Sequence, residues 1–367
     1  MKNICFLNSI NFWGGGEKLH LEYAIEFQKK QYNVVLLSNF NSPLWKRASE
    51  QGIKTFPIKA NNLSFFNPFA IFKLARFYKR QKVDTVFVSN SQDLKLGSIA
   101  AKLARIKNIV YYRSIAVPIK GGIINRMIFK YVLTHIIANS DETKRNILQN
   151  LEKQINPSSI KTIYYGVDID KFNGNRVDTL QEIKDKGHGV ILGNAGRLTT
   201  QKGQHYFIEI AKKLIEKEVD FTLFIAGTGE LQEELASSIA KYNLQEHVVL
   251  LGFVEDMECF MNSIDIFVLS SMWEGFGYVL VEAMLKEKAV VAFNMTSNPE
   301  IVLADKTGFL IDHPNTDMFA NKLETLINNE DLRTQMGKAG LESSLDRFVL
   351  EDRVSELESF IINKSNV

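Results

Sequence analysis

The chain has 367 residues, 45% of them hydrophobic and 23% charged, with only seven prolines; this excludes a disordered or fibrous protein and exceeds what one ordinary core needs. Its 44 lysines and arginines against 42 aspartates and glutamates leave a net charge of +2, so no global field attracts nucleic acid and any basic patch has to be local. No run approaches the roughly 18 consecutive apolar residues of a membrane span, and the start reads directly as a strand rather than a leader, so a cytoplasmic protein is expected.

Short runs rich in Val, Ile and Phe alternate with longer segments of helical period, the pattern of parallel sheets covered by helices, and the fold class is α/β. The first half predicts strands at 4–8, 34–38, 83–89, 109–112, 135–139 and 162–165. The second half predicts strands at 190–194, 221–226, 248–251, 266–269 and 290–293, so two doubly wound, Rossmann-like domains follow. A turn-rich stretch from Gly166 to Asn175, polar through Gly189, puts the boundary near 170–188. The expected domains are 1–172 and 173–349, with a final helix over about 350–367 packing back on the first. Cys5, in a strand, and Cys259, in a helix, have no metal-ligand or redox spacing and read as small apolar groups.

In open α/β sheets ligands lie beyond the carboxyl ends of the strands, and four such places here are unusual. After the first strand, Gly14-Gly15-Gly16-Glu17 opens a helix, and its bare backbone N–H groups suit an anion as well as they suit a simple flexible turn. The spacing is not that of a dinucleotide motif, and Asn39-Phe40 stands where a ribose-binding acid would follow the second strand, which disfavours a nicotinamide enzyme. After 190–194, Arg197 offers a rigid fork and Lys202 a mobile point charge for a diphosphate, against the plainer reading of a solvated basic loop. After 221–226, Gly227-Thr228-Gly229 opens the floor. After 266–269 come Glu274-Gly275-Phe276-Gly277 and, from a helix beginning near Tyr278, Glu282. Two spaced carboxylates can each accept from a pair of sugar or ribose hydroxyls; the alternative is an exposed acid pair favoured by the helix dipole.

Together these residues resemble retaining glycosyltransferases of the GT-B fold, family 4. The resemblance spans nearly the whole chain: Gly14 to Glu17, Asn139-Ser140, Tyr165 to Asp168, Gly196-Arg197 with Lys202-Gly203, the Glu274 to Glu282 element and Thr307 to Leu310. It implies that Arg197 and Lys202 bind the donor diphosphate, with Gly15, Gly16 and Gly227 close by. Glu274 would hold sugar hydroxyls and Glu282 the ribose, with the backbone of Gly275, Phe276 and Gly277 at sugar or phosphate, and Phe253 and Val254 near the base. The resemblance implies catalysis without a metal or other cofactor, the co-substrate being a UDP-, GDP- or ADP-sugar. Family members often carry a histidine where this chain reads Tyr111-Tyr112-Arg113-Ser114, so two readings stand there: Arg113 takes an acceptor or sugar role, or the loop sits differently; His135, in a strand, reads as structural.

The expected activity is transfer of a hexose-type sugar to a carbohydrate or lipid-linked saccharide in cell-surface polysaccharide or lipopolysaccharide synthesis. An epimerase, a phosphorylase or a non-catalytic nucleotide-sugar binder are the rivals. Two N-terminal stretches, 65–80 and 118–133, are apolar and basic together and suit peripheral contact with the inner face of the plasma membrane. For the first, a sheet-covering helix with a solvated basic face is the simpler reading.

Overall fold

The computed structural model describes residues 2–169 and 180–363; most of the turn-rich stretch expected at the boundary lies outside them. The chain forms two compact units, Met1–Gly166 with Leu350–Val367, and Val167–Val349.

The first unit runs β1 (Asn3–Asn8), α1 (Gly15–Lys29), β2 (Asn33–Ser38), α2 (Pro43–Glu50), β3 (Lys54–Pro57), α3 (Pro68–Arg80), β4 (Thr85–Val88), α4 (Ser91–Ala104), β5 (Asn108–Arg113), α5 (Ile123–Tyr131), β6 (His135–Ala138), α6 (Asp141–Leu151) and β7 (Ile160–Thr162). Its seven-stranded sheet has the order β3-β2-β1-β4-β5-β6-β7, with every pairing parallel. The central strands are apolar without alternation because helices cover both faces. Helix starts are set locally: Asn67 caps α3 ahead of Pro68, Asn90 caps α4 and Ser140 caps α6.

The second unit runs α7 (Gln181–Lys186), β8 (Val190–Ala195), α8 (Tyr206–Glu216), β9 (Phe221–Ala226), α9 (Gln232–Lys241), β10 (Val248–Gly252), α10 (Met257–Asn262), β11 (Ile266–Leu269), α11 (Tyr278–Leu285), β12 (Ala289–Phe293), α12 (Asn298–Ile301), β13 (Gly308–Ile311), α13 (Thr316–Ile327) and α14 (Glu330–Arg347). Its six strands are ordered β10-β9-β8-β11-β12-β13, again all parallel. Helix α15 (Leu350–Asn363) belongs to the first unit, where Lys30 and Lys161 pair with its Glu358 and Glu356 at 2.6 and 2.9 Å. His135, buried in β6, packs its ring edge-on to Phe360 of α15, a structural setting.

The expected strand at 162–165 lies instead at Ile160–Thr162. Thr162 pairs with Ala138, where β6 ends because Ser140 turns the chain into α6, so the ladder stops once the Ile163 N–H has donated to the Ala138 carbonyl at 2.9 Å. The edge strands β3 and β13 carry too weak a pattern to be expected: β3 is four half-exposed residues ending in proline.

Candidate functional site

In each sheet the strand order reverses once, between β1 and β4 and between β8 and β11, and a crevice opens there between the loops that follow those strands. In the second unit that crevice is spanned by an ion pair. Lys202 Nζ, from the loop after β8, lies 2.6 Å from Glu274 Oε1, from the loop after β11, with the two side chains 18% and 9% exposed.

The backbone around this pair is fixed from several sides. Gln201 Nε2 donates to the Trp273 carbonyl at 2.9 Å, Met272 N to the Gln201 carbonyl at 2.8 Å, and Ser270 Oγ to the Lys202 carbonyl at 3.0 Å. Gly203 closes the Lys202 turn at φ +66, and a side chain there would collide with the Ser270 carbonyl. On the far side the loop after β12 holds Glu274: its N–H donates to Thr296 Oγ1 at 2.8 Å and its carbonyl accepts from Ser297 Oγ at 3.2 Å. Thr296 and Ser297 escape sequence reasoning because two isolated hydroxyls past a strand form no motif.

The neighbouring residues fall where the loops put them. The Arg197 side chain is exposed and makes no ion pair among the described residues, so its guanidinium is available to an anion. Gly227, at φ +142, sits against the Gly196 carbonyl with no room for a Cβ, which presses the loops after β8 and β9 together. Gly275 is half-buried, Phe276 is 3% exposed and packs edge-on to Phe348, and Gly277 is buried at the start of α11. Glu282, fifth in α11, is 6% exposed. Phe253, 71% exposed, and Val254 line a hollow after β10 together with Leu180, Gln181 and Leu251. Thr199 Oγ1 and Ser271 Oγ, in the same two loops as the ion pair, are buried polar atoms without a hydrogen-bond partner, and neither was expected.

In the first unit the corresponding crevice is spanned by a buried carboxylate. Asp93, in the first turn of α4, accepts from Ser9 N at 2.8 Å and Ser9 Oγ at 2.6 Å, and from the Asn90 amide. Burial, helped by Glu17 and opposed by those hydrogen bonds, pushes its carboxyl up to about 7. Gly15 begins α1 in open space, Gly16 follows near Ser114 Oγ, and Glu17 accepts from the Asn8 amide at 3.1 Å. Arg113 turns its guanidinium onto its own loop, donating to the carbonyls of Ile115 at 3.0 Å and Val117 at 2.9 Å and to Tyr111 Oη at 3.3 Å. No helix among the described residues is long and apolar enough to cross a membrane.

Two family models meet across the chain: glycosyl transferases group 1 matches residues 178–343 and glycosyltransferase family 4 matches residues 13–171. The chain belongs to this glycosyltransferase family. It is 27% identical over 366 residues to the Escherichia coli UDP-Gal:alpha-D-GlcNAc-diphosphoundecaprenol alpha-1,3-galactosyltransferase, covering 95% of this chain and 94% of that one. It is also 27% identical over 357 residues, 91% of each chain, to the capsular polysaccharide biosynthesis glycosyltransferase CapM of Staphylococcus aureus. Anabaena HepE, solved with UDP and glucose, superposes with a TM-score of 0.83 at 22% identity, covering 98% of this chain and 99% of HepE, and shares the GT-B fold. The protein is a glycosyltransferase, and the epimerase, phosphorylase and non-catalytic readings are not favoured.

Proposed function

We propose that this glycosyltransferase moves a hexose-type sugar, with retention of anomeric configuration, from a nucleoside-diphosphate sugar to a hydroxyl of a lipid-linked saccharide in cell-surface polysaccharide synthesis. The observation that carries the reading is the Lys202–Glu274 pair spanning the β8/β11 crevice beside the unpaired Arg197. A diphosphate entering that crevice takes Lys202 and Arg197 as its cations, and Glu274, released from Lys202, turns to the sugar hydroxyls. Glu282 serves the ribose, while the backbone of Gly275, Phe276 and Gly277 meets sugar or phosphate and Gly227 keeps the floor clear. Phe253 and Val254 flank the base. Gly15 and Gly16 leave N–H groups free for an anion, and Arg113 shapes the loop at the sugar or acceptor. The E. coli relative, whose name specifies a diphosphoundecaprenol-linked substrate, supports the choice of acceptor and of work at the inner face of a membrane.

In the reaction the acceptor hydroxyl attacks the anomeric carbon from the face that the diphosphate leaves. The carbon–oxygen bond to the phosphate breaks, and the hydroxyl proton passes to the departing phosphate oxygen. Arg197 and Lys202 stabilise the charge that grows there. A thermal-shift panel of UDP-, GDP- and ADP-sugars tests the site, because a ligand at about 100 times its Kd adds roughly 2.7 kcal/mol of stability. One donor nucleotide should raise the midpoint, and Lys202→Ala should abolish the rise. No shift with any of the three, or a product of inverted anomeric configuration, overturns the proposal.

A further inference from the structure

The net charge of +2 conceals a segregation. Residues 51–83 hold seven lysines and arginines and not one acid, and residues 94–140 hold eight and not one acid. Between them stand only Asp84, which accepts from the backbone N–H groups of Lys2 and Asn3, and the fully buried Asp93. Residues 51–140 thus carry fifteen cations against two acids, a charge of +13 in a chain whose total is +2.

The same segment leaves large apolar side chains in water. Helix α3 buries Leu74, Ala75 and Tyr78 against the sheet and turns Phe69, Phe72, Lys73 and Arg76 outward, spaced three and four residues apart on one face. Phe69 is 83% exposed and Phe72 62%, and the turn leading into α3 adds Leu63 at 69% and Phe66 at 66%. Helix α5 repeats the arrangement, with Ile123, Met127 and Tyr131 exposed at four-residue spacing beside Arg126 and Lys130. Helix α4 packs against both, and the buried faces of α3, α4 and α5 share one core on one side of the sheet.

We infer that the outer faces of α3 and α5, with the Leu63–Phe66 turn, dock on an anionic lipid bilayer. Phenylalanine rings beside long cationic chains fit the boundary between acyl chains and acidic headgroups, where the rings sink and the ammonium and guanidinium groups stay with phosphate. A second copy of this chain docking through the same face is disfavoured as occupant, since it would set Lys73, Arg76, Arg126 and Lys130 against their like-charged counterparts. A soluble polyanionic glycan pairs with the cations but leaves Phe69 and Phe72 in water. The simpler expectation for α3, a solvated basic face, overlooks these two rings. The inference deepens the lipid-linked acceptor reading and shares its premise of work at a membrane.

The test is co-sedimentation of the full chain with vesicles of phosphatidylcholine alone and with added phosphatidylglycerol, at low and high salt. The chain should pellet with the acidic vesicles and be released by salt. Phe69→Asp with Phe72→Asp, and separately Lys73→Glu with Arg76→Glu, should each lower partitioning by at least about tenfold. Both pairs are solvent-exposed, so unchanged melting midpoints and unchanged thermal shifts with whichever nucleotide sugar stabilises the parent chain confirm intact folding and an intact donor site. Equal binding to neutral and acidic vesicles, no binding to either, or variants that bind like the parent chain overturns the inference. So does binding of a heparin oligosaccharide that competes with vesicles and ignores the Phe substitutions, which reassigns the surface to a glycan. If vesicles bind while no nucleotide sugar shifts the midpoint, the docking surface stands and the donor-site proposal fails.

Discussion

Replacing Lys202 by methionine keeps an unbranched side chain, one atom shorter, and removes its charge, leaving Glu274, at 9% side-chain exposure, without the partner 2.6 Å away. Breaking one side of a buried pair costs about 3–5 kcal/mol, and the partial exposure of Lys202 places this one at about 3 kcal/mol. For a unit of this size that corresponds to a fall of about 6–12 °C in the unfolding midpoint. Adding Glu274→Gln to Lys202→Met removes the stranded charge, so the double variant should regain most of the lost stability, a coupling of about 2 kcal/mol by double-mutant cycle. Turnover should not follow. A cation stabilising the leaving diphosphate is worth about 100- to 1000-fold in kcat, and neither Lys202→Met nor the double variant supplies it. Calorimetry and steady-state kinetics on the four proteins read both effects. Midpoint changes that add within about 0.5 kcal/mol would show that the pair is not coupled. Turnover of Lys202→Met within about threefold of the parent would show that the lysine does not serve the reaction.

Two glycines make a contrasting pair. Gly227→Ala forces a Cβ onto the Gly196 carbonyl at a φ of +142 and should cost at least about 2 kcal/mol in denaturant unfolding, whereas Gly15→Ala, which meets nothing, should stay within about 0.5 kcal/mol. The reverse ranking would contradict the packing of the post-strand loops. Arg113→Ala frees the carbonyls of Ile115 and Val117, so amide exchange should accelerate across 114–117, and unchanged protection would mean the guanidinium does not hold that loop. Asp93 is a carboxyl whose folded value, about 7, lies above its ordinary 3.8. Its contribution is complete below about pH 4 and is lost as pH rises to about 7, so stability should decline across that window. Asp93→Asn should flatten the decline, and an identical pH profile in urea titrations would refute the assignment.

Most of the two sheets was legible because their central strands are buried on both faces and read as unbroken Val, Ile and Phe runs. What escaped lies at the edges. β3 alternates weakly and ends at Pro57, and β13 is short, so neither rises above the loops around it. In the site, Lys202 and Glu274 were legible as chemical types placed after strands, yet their direct pairing follows only from the strand order that sets β8 beside β11. Asp93 was invisible for the opposite reason. In sequence it is one polar residue at a helix start, and its meaning comes from Ser9, 84 positions away. The charge segregation was present in the sequence throughout but is hidden by a whole-chain total, which averages a basic segment with an acidic remainder.

The two crevices use an acid differently, and the difference predicts what each responds to. Glu274 faces a cation on a loop whose neighbouring Arg197 makes no ion pair among the described residues, so under the proposed donor site a ligand diphosphate would compete directly with the carboxylate for Lys202 and make the crevice sensitive to ligand charge. Asp93 faces neutral donors, the Ser9 amide and hydroxyl and the Asn90 side chain, in a fully buried place, so no exchange of partners is open to it. What changes there is the proton, and with it the hold of α4 on the turn that precedes Gly14. Ionic strength should therefore act on nucleotide affinity through the second unit, while mild acidity should act on the stability of the first.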